Sequence, residues 1–249
     1  MRLPLFILPG ILLALGLPSP LRALPTAPTN GFETTFALDI LFTRGNANKG
    51  EIGSKIETSG VTPYFERVRA GGSYAYGQSE VDSVNTTTAK RWDLFGYVRR
   101  PLEKDQTYTF VDARIQSDAV ADLHYRVSEG GGAGIYLQKG PKLEWSIEAG
   151  LSWVFEETGD GSDNYPAIRM GERYEQEWDG GPKVIQTLEL LPHALQLDNF
   201  LVNATAELTT VITRTLNLRT ALEYRYQSRA PDDIIAYDLR LVVGVSCKY

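Results

Sequence analysis

The chain has 249 residues, 43% of them hydrophobic, with 25 Lys and Arg against 31 Asp and Glu and a formal net charge of −6. An acidic balance with no grouped basic residues excludes nucleic acid as the natural partner, because phosphate binding rests on clustered Lys and Arg. The lone cysteine, Cys247, excludes an internal disulfide, and its setting among alternating apolar residues reads as that of a small hydrophobe.

Residues 1–23 carry Arg2, a short run rich in Leu and Ile, and the breakers Pro18 and Pro20, the pattern of a cleaved secretory signal peptide. Its removal near Ala23 would discard Arg2 and Arg22 and no acid, taking the formal charge from −6 to −8. Prolines interrupt a run already too short to span a bilayer as a helix, and no other stretch is apolar enough to do so. Residues 24–31 read as a linker, and residues 32–249 as one β domain.

The first predicted strand, 32–42, alternates Phe32, Thr34, Phe36, Leu38 and Ile40 with Glu33, Thr35, Ala37 and Asp39, and stops at Arg44-Gly45-Asn46. The second, 48–57, sets Ile52 and Ile56 against Glu51, Lys55 and Glu57. A third ends at Tyr74-Ala75-Tyr76-Gly77. The fourth, 86–99, has Trp92, Leu94, Gly96 and Val98 on alternate positions. Strands at 108–116 and 125–138 follow. The seventh, 142–156, is the clearest: Leu143, Trp145, Ile147, Ala149, Leu151, Trp153 and Phe155 oppose Glu144, Ser146, Glu148, Gly150 and Ser152. Further strands fall at 168–178, 184–191, 199–212, 215–227 and 234–249, about twelve in all.

Two of these strands are too long and too one-sided for an ordinary soluble sheet. A period of two places one face in an apolar medium and the other in a polar one, and a tilted strand crosses a bilayer in about 9–11 residues. In the last strand Tyr237, Leu239, Leu241, Val243, Val245, Cys247 and Tyr249 share one face, ending the chain on an aromatic residue as outer-membrane barrels do. Tyr237, Leu239, Leu241, Val243, Val245 and Tyr249 are the expected signal for the barrel assembly machinery. Trp145 and Trp153 lie roughly 27 Å apart along the seventh strand, or about 21 Å when tilted, close to the ~25 Å apolar band and its two aromatic girdles. The expected fold is therefore all-β, an antiparallel, up-and-down transmembrane barrel of about twelve strands. Its connections are expected to alternate between longer polar loops (78–85, 117–123, 157–166, 192–198 and 228–233) and short turns (59–63, 101–105, 139–141, 180–182 and near Thr213-Arg214).

With the strands laid out, the chain resembles the domain of unknown function 481 family, described as salt-induced outer membrane proteins. The resemblance rests on Gly45-Asn46-Ala47-Asn48, Tyr74-Ala75-Tyr76-Gly77, Leu123-His124-Tyr125-Arg126, Gly132-Ala133-Gly134 with Tyr136, and Leu143 through Glu148-Ala149-Gly150. Leu222-Glu223-Tyr224 and a loop with Pro231 complete it, while the ending Lys248-Tyr249 departs from the usual terminal Phe. It implies an outer-membrane barrel and a connection with salt or osmotic stress, and supplies no catalytic residues.

The polar faces hold the candidate lumen lining: Glu51, Lys55, Glu144, Glu148, Glu207, Arg219, Glu223, Arg225, Asp238 and Arg240. Both signs occur, so these residues either form a cross-strand network that fills the lumen or line a narrow aqueous pore. His124 and Ser128 share a strand face about 13 Å apart, too far for a base and its nucleophile, and His193 falls in a predicted loop; both histidines read as rim residues. Glu156, Glu157, Asp160 and Asp163 lack the spacing of a calcium loop and read as a solvated loop. No cofactor or metal is implied. The function expected is that of a non-enzymatic envelope protein in contact with outer-membrane lipid. A membrane-embedded lipid hydrolase using His124 and a soluble periplasmic barrel binding an apolar ligand are the alternatives.

Overall fold

The computed structural model describes residues 31–43, 48–81, 84–102, 106–229 and 236–248. The expected signal peptide and linker, the Arg44-Gly45-Asn46 turn, Pro231 and Tyr249 lie outside the described residues. Twelve strands form: β1 (Phe32–Thr43), β2 (Asn48–Gly60), β3 (Arg67–Val81), β4 (Val84–Pro101), β5 (Thr107–Asp118), β6 (Leu123–Lys139), β7 (Leu143–Thr158), β8 (Gly161–Glu177), β9 (Lys183–His193), β10 (Gln196–Val211), β11 (Leu216–Gln227) and β12 (Tyr237–Lys248). Each pairs antiparallel with its sequence neighbours, and β1 pairs with β12 to close the barrel. The all-β, twelve-stranded, up-and-down reading of the sequence holds.

Alternation in the sequence becomes inside and outside in space. Along β12 the outward Leu239, Leu241, Val243 and Val245 are exposed, as are Ile147, Leu151, Trp153 and Phe155 on β7. A face of this extent would be an aggregation liability in water; against acyl chains it is the favourable solvent contact. Between these apolar rows the inward Ser146 and Val154 on β7 and Val242 and Ser246 on β12 are buried. Trp145 and Trp153 both point outward, at 39% and 54% exposure. Trp145 also packs edge-on to Tyr174 and donates Nε1–H to Glu172 Oε1 at 2.9 Å. No helix among the described residues is long and apolar enough to cross a membrane.

The connections correct the sequence reading. Polar segments expected to be loops are strand instead: β7 and β8 remain paired as far as Thr158↔Gly161, so only Gly159 and Asp160 join them, and only Ala194 and Leu195 join β9 to β10. Between β5 and β6 the link is 119–122, and between β3 and β4 only 82–83, whose structure is not described. At the opposite rim, which carries the chain ends, the links 61–66 and 178–182 are longer than these hairpins. The expected alternation of long loops with short turns therefore fails at these connections, while the β11–β12 link, 228–236, is long as expected. Beyond the apolar band a hairpin stands in water on both faces, so it needs no apolar alternation to persist, and turn-forming residues there do not break the strand. Below, the rim bearing the chain ends is the near rim and the other the far rim.

Close backbone approach explains the glycines of β6. Tyr108 on β5 pairs with Gly134 and is fully buried. Its ring lies flat over β6, where a Cβ on Gly134 would sit 2.3 Å from Tyr108 Cζ. Covering of a glycine by a cross-strand aromatic is a recognised way to pin register in a curved sheet. We expect Gly134→Val to displace Tyr108 and lower the temperature at which the folded band converts to the unfolded one on a heat-modifiability gel, with Gly140→Ala, in a turn with space around it, as the indifferent control.

Candidate functional site: a bridged lumen

The inward faces of the strands place charge at nearly every level. Near the chain-end rim, Arg67 on β3 reaches Glu144 on β7 and Glu175 on β8, each at 3.1 Å. Three or more strands lie between these partners around the wall, so the contacts cross the lumen. Glu175 also pairs with Arg173 at 2.7 Å and Lys183 at 2.6 Å, and Glu57 with Arg69 at 2.7 Å and Lys55 at 3.3 Å.

Beside Arg67, its register partner Arg99 on β4 is only 1% exposed. It bonds Glu144 Oε1 at 3.0 Å and the hydroxyls of Tyr97 and Tyr136 at 2.9 and 2.8 Å. Its guanidinium also stacks 4.1 Å from the Tyr108 ring centroid. Tyr97 and Tyr108 in turn donate to Glu148 Oε1 at 2.6 and 3.2 Å. Arg169 on β8 pairs with Glu148 at 2.8 Å and with Asp112 and Glu189 at 3.3 Å each. Toward the β1–β12 joint, Arg219 on β11 holds Asp39 on β1 at 2.8 Å and Glu207 on β10 at 2.9 Å. The Arg219–Asp39 pair passes over Gly244, where a Cβ would meet Asp39 Oδ1 at 2.3 Å.

In the far half, Arg240 on β12 pairs with Glu51 on β2 and, at 2.8 Å, with Glu223 on β11. Arg91 on β4 reaches Asp238 on β12 at 2.6 Å. Arg126 on β6 bonds Glu156 at 2.6 Å and crosses to Gln227 on β11 at 3.0 Å.

A cavity of ≈ 810 Å³ remains between these bridges in the near half and middle, and a second of ≈ 520 Å³ lies in the far half. Lys55, Glu148, Glu207, Arg219, Glu223 and Arg225 line the first, Glu51 and Asp238 the second, and Arg240 both, while Glu144 belongs to the near network. Most of the arginines that organise the lumen were not singled out from the sequence: Arg67, Arg91, Arg99, Arg126 and Arg169. The signal existed for Arg91 and Arg99, which alternate with Trp92, Leu94, Gly96 and Val98.

The histidines part company. His124 is exposed at the far rim, 3.7 Å from Glu157, and no hydrogen bond joins it to Ser128 among the described residues. His193 ends β9 at the far rim and is buried there, stacked 4.6 Å from Tyr165 and accepting the Leu195 N–H at Nδ1 over 3.0 Å. It lies in strand rather than in the expected loop because Pro192, paired with Phe200, does not break β9. In the acidic stretch Glu156 faces Asp163 across the β7–β8 ladder, and no metal-binding group of three ligands occurs among the described residues.

An antiparallel barrel closed on itself, apolar outside and charged within, defines the molecule as an outer-membrane-type β-barrel. The chain belongs to the family described as "Protein of unknown function, DUF481", whose profile matches residues 37–249. No curated protein matches it. Among solved structures it is similar to an outer membrane channel from Pseudomonas putida F1, at 11% identity and TM-score 0.50, covering 90% of this chain and 97% of that one. It is also similar to an anion-selective porin from Comamonas acidovorans (10% identity, TM-score 0.40, covering 90% and 100%) and to the translocator domain of the autotransporter NalP from Neisseria meningitidis (13%, 0.41, covering 87% of each). At these identities the likeness is one of fold.

Removing one partner of a buried ion pair costs about 3–5 kcal/mol, because the other charge is left uncompensated. Arg99→Met should therefore destabilise the barrel by about that amount in urea titrations followed by tryptophan fluorescence. Substituting exposed Lys142, whose partner Asp179 is 93% exposed, should change it by less than about 1 kcal/mol.

Proposed function

We propose that the protein is a non-enzymatic structural barrel of the bacterial outer membrane, its lumen bridged so that nothing larger than small ions passes at rest. The observation that carries this reading is the set of contacts across the lumen, Arg67 to Glu144 and Glu175 in the near half and Arg126 to Gln227 in the far half. A twelve-stranded wall is intermediate between barrels that side chains fill and those that leave an open channel. Long arginines meeting carboxylates from the facing wall narrow the lumen. Export through residues 1–23, insertion by the assembly machinery reading Tyr237, Leu239, Leu241, Val243, Val245 and Tyr249, and lipid contact along the apolar belt complete the proposal.

The connection with salt follows from the same contacts. Arg67 and Glu144 keep 22% and 17% of their side-chain surface exposed, so mobile ions reach them. The Debye length falls from about 10 Å at 0.1 M to about 3 Å at 1 M salt, weakening such pairs. The bridges are thus the elements through which external salt would loosen the lumen.

In a planar bilayer the folded mature protein should be silent or pass only small steps, growing faster than bulk conductivity as salt is raised. Arg67→Ala should give discrete, severalfold larger steps. Large open steps from the unaltered protein would refute a bridged lumen, and silence of Arg67→Ala in a barrel shown to be folded by heat-shifted mobility would put the closure elsewhere.

A further inference from the structure

Eleven of the twelve strand joints are long and the twelfth is not. Registers between sequence neighbours run from nine pairs (β8 with β9) to sixteen (β7 with β8). Strands β1 and β12 share five, from Thr35↔Lys248 to Asp39↔Gly244. Beyond Asp39, β1 continues to Thr43 paired only with β2, and β12 from Tyr237 to Val243 is paired only with β11. Among the described residues, no pair joins the two strands over this stretch, so the far half of the joint is a seam with two open edges.

The ≈ 520 Å³ cavity lies at that seam. Its lining brings together residues of both unpaired edges, Ile40 on β1 and Leu239 and Leu241 on β12, with inward Glu51, Arg91 and Arg240. The cavity therefore lies along the seam where the two edges face each other without a ladder. Inside it Arg91 is 7% exposed, and its Nη2 makes no hydrogen bond, with Glu51 Oε1 3.7 Å away. Nearby Asp238, held by Arg91 through one oxygen, keeps 48% of its side chain exposed.

Open strand edges are not tolerated in hydrocarbon, where no water meets their N–H and C=O groups, so something polar must stand there. The chemistry specifies what. Arg91 Nη2 wants an anionic oxygen, and phosphate oxygens match a guanidinium well. Yet Asp39, Glu51, Asp118 and Asp238 line the cavity against the two guanidinium groups of Arg91 and Arg240, which disfavours a purely anionic guest and suits a cationic end beside Asp238. Ile40, Leu239 and Leu241, each more than half exposed, offer the outer rim to acyl chains. We propose that the β1–β12 seam is a lateral portal in which one zwitterionic phospholipid places its phosphate against Arg91 and its amine against Asp238. Its chains stay outside the wall. The proposal is independent of whether the lumen conducts.

The test uses the mature chain folded in uncharged octyl glucoside micelles containing equal amounts of phosphatidylethanolamine and phosphatidylglycerol with identical acyl chains. Native mass spectrometry then reads which lipid stays bound. We expect one phosphatidylethanolamine retained at least tenfold over phosphatidylglycerol, and that preference abolished in Arg91→Gln. An Ile40→Cys/Val243→Cys variant in a Cys247→Ala background should retain it when reduced and lose it once a disulfide closes the seam. Reading the two redox forms of one folded polypeptide covers the case in which Arg91→Gln does not fold. Equal retention of the two lipids would mean annular lipid only and overturn the proposal. So would a phosphatidylethanolamine preference that survives closure of the seam.

Discussion

Acyl chains offer no hydrogen bonds, and every other feature of this molecule answers to that. A strand can cross such a medium only if both its edges are occupied, so twelve strands must form a ring rather than a sheet. Closing the ring dictates an outer face that lipid accepts and an inner face that it never touches. The period-two pattern follows: apolar residues are required at alternate positions only, and the remaining positions are free to carry charge. The ring is completed unevenly. Where the β1–β12 ladder stops at Asp39↔Gly244, Arg240–Glu51 and Arg219–Asp39 each bridge a strand from within, fastening the last hairpin to the first.

Freedom to carry charge inside brings its own cost. Charges withdrawn from water lose several kcal/mol each unless partners replace the hydration. The lumen meets this by sharing. Arg169 faces Glu148, Asp112 and Glu189, and Glu148 also accepts from Tyr97 and Tyr108. Arginine suits the arrangement better than lysine, since its planar fork serves several acceptors and its face stacks on aromatic rings. Arg99 uses both properties at once. A wall of this circumference leaves too much space for aliphatic side chains to fill, so long polar side chains that meet midway are the economical filling.

The outer face was legible in the sequence because it is local. Trp145 to Phe155 and Tyr237 to Val245 announce their strands by alternation alone, and that fixes which residues point inward. Strand ends were less legible. Past the membrane both faces of a hairpin see water, so the alternation ends before the strand does, and the 157–166 stretch resembles a loop although all of it but Gly159 and Asp160 is paired. The partners across the lumen were not legible at all. Arg67 and Glu175 are joined by the curvature of the closed sheet, and nothing near either residue in the sequence refers to the other. His193 shows the same limit: its burial comes from Tyr165 on the neighbouring strand.

The uneven joint divides the barrel into halves held by different forces. Near the chain ends β1 and β12 are sealed by backbone hydrogen bonds, which do not depend on ionic strength, and Gly244 admits the Asp39 carboxylate close enough to lock the last pair. Toward the far rim the same strands face each other without a ladder, and closure falls to Arg240, Glu51, Arg91 and Asp238. Backbone pairing is all or none at each position, whereas ion pairs weaken gradually and re-form with new partners. A barrel that needed only rigidity would extend the ladder over both halves. With ion pairs in place of a ladder, the far half of the joint between the first and last strands has, among the described residues, no backbone hydrogen bonds to break before its edges part.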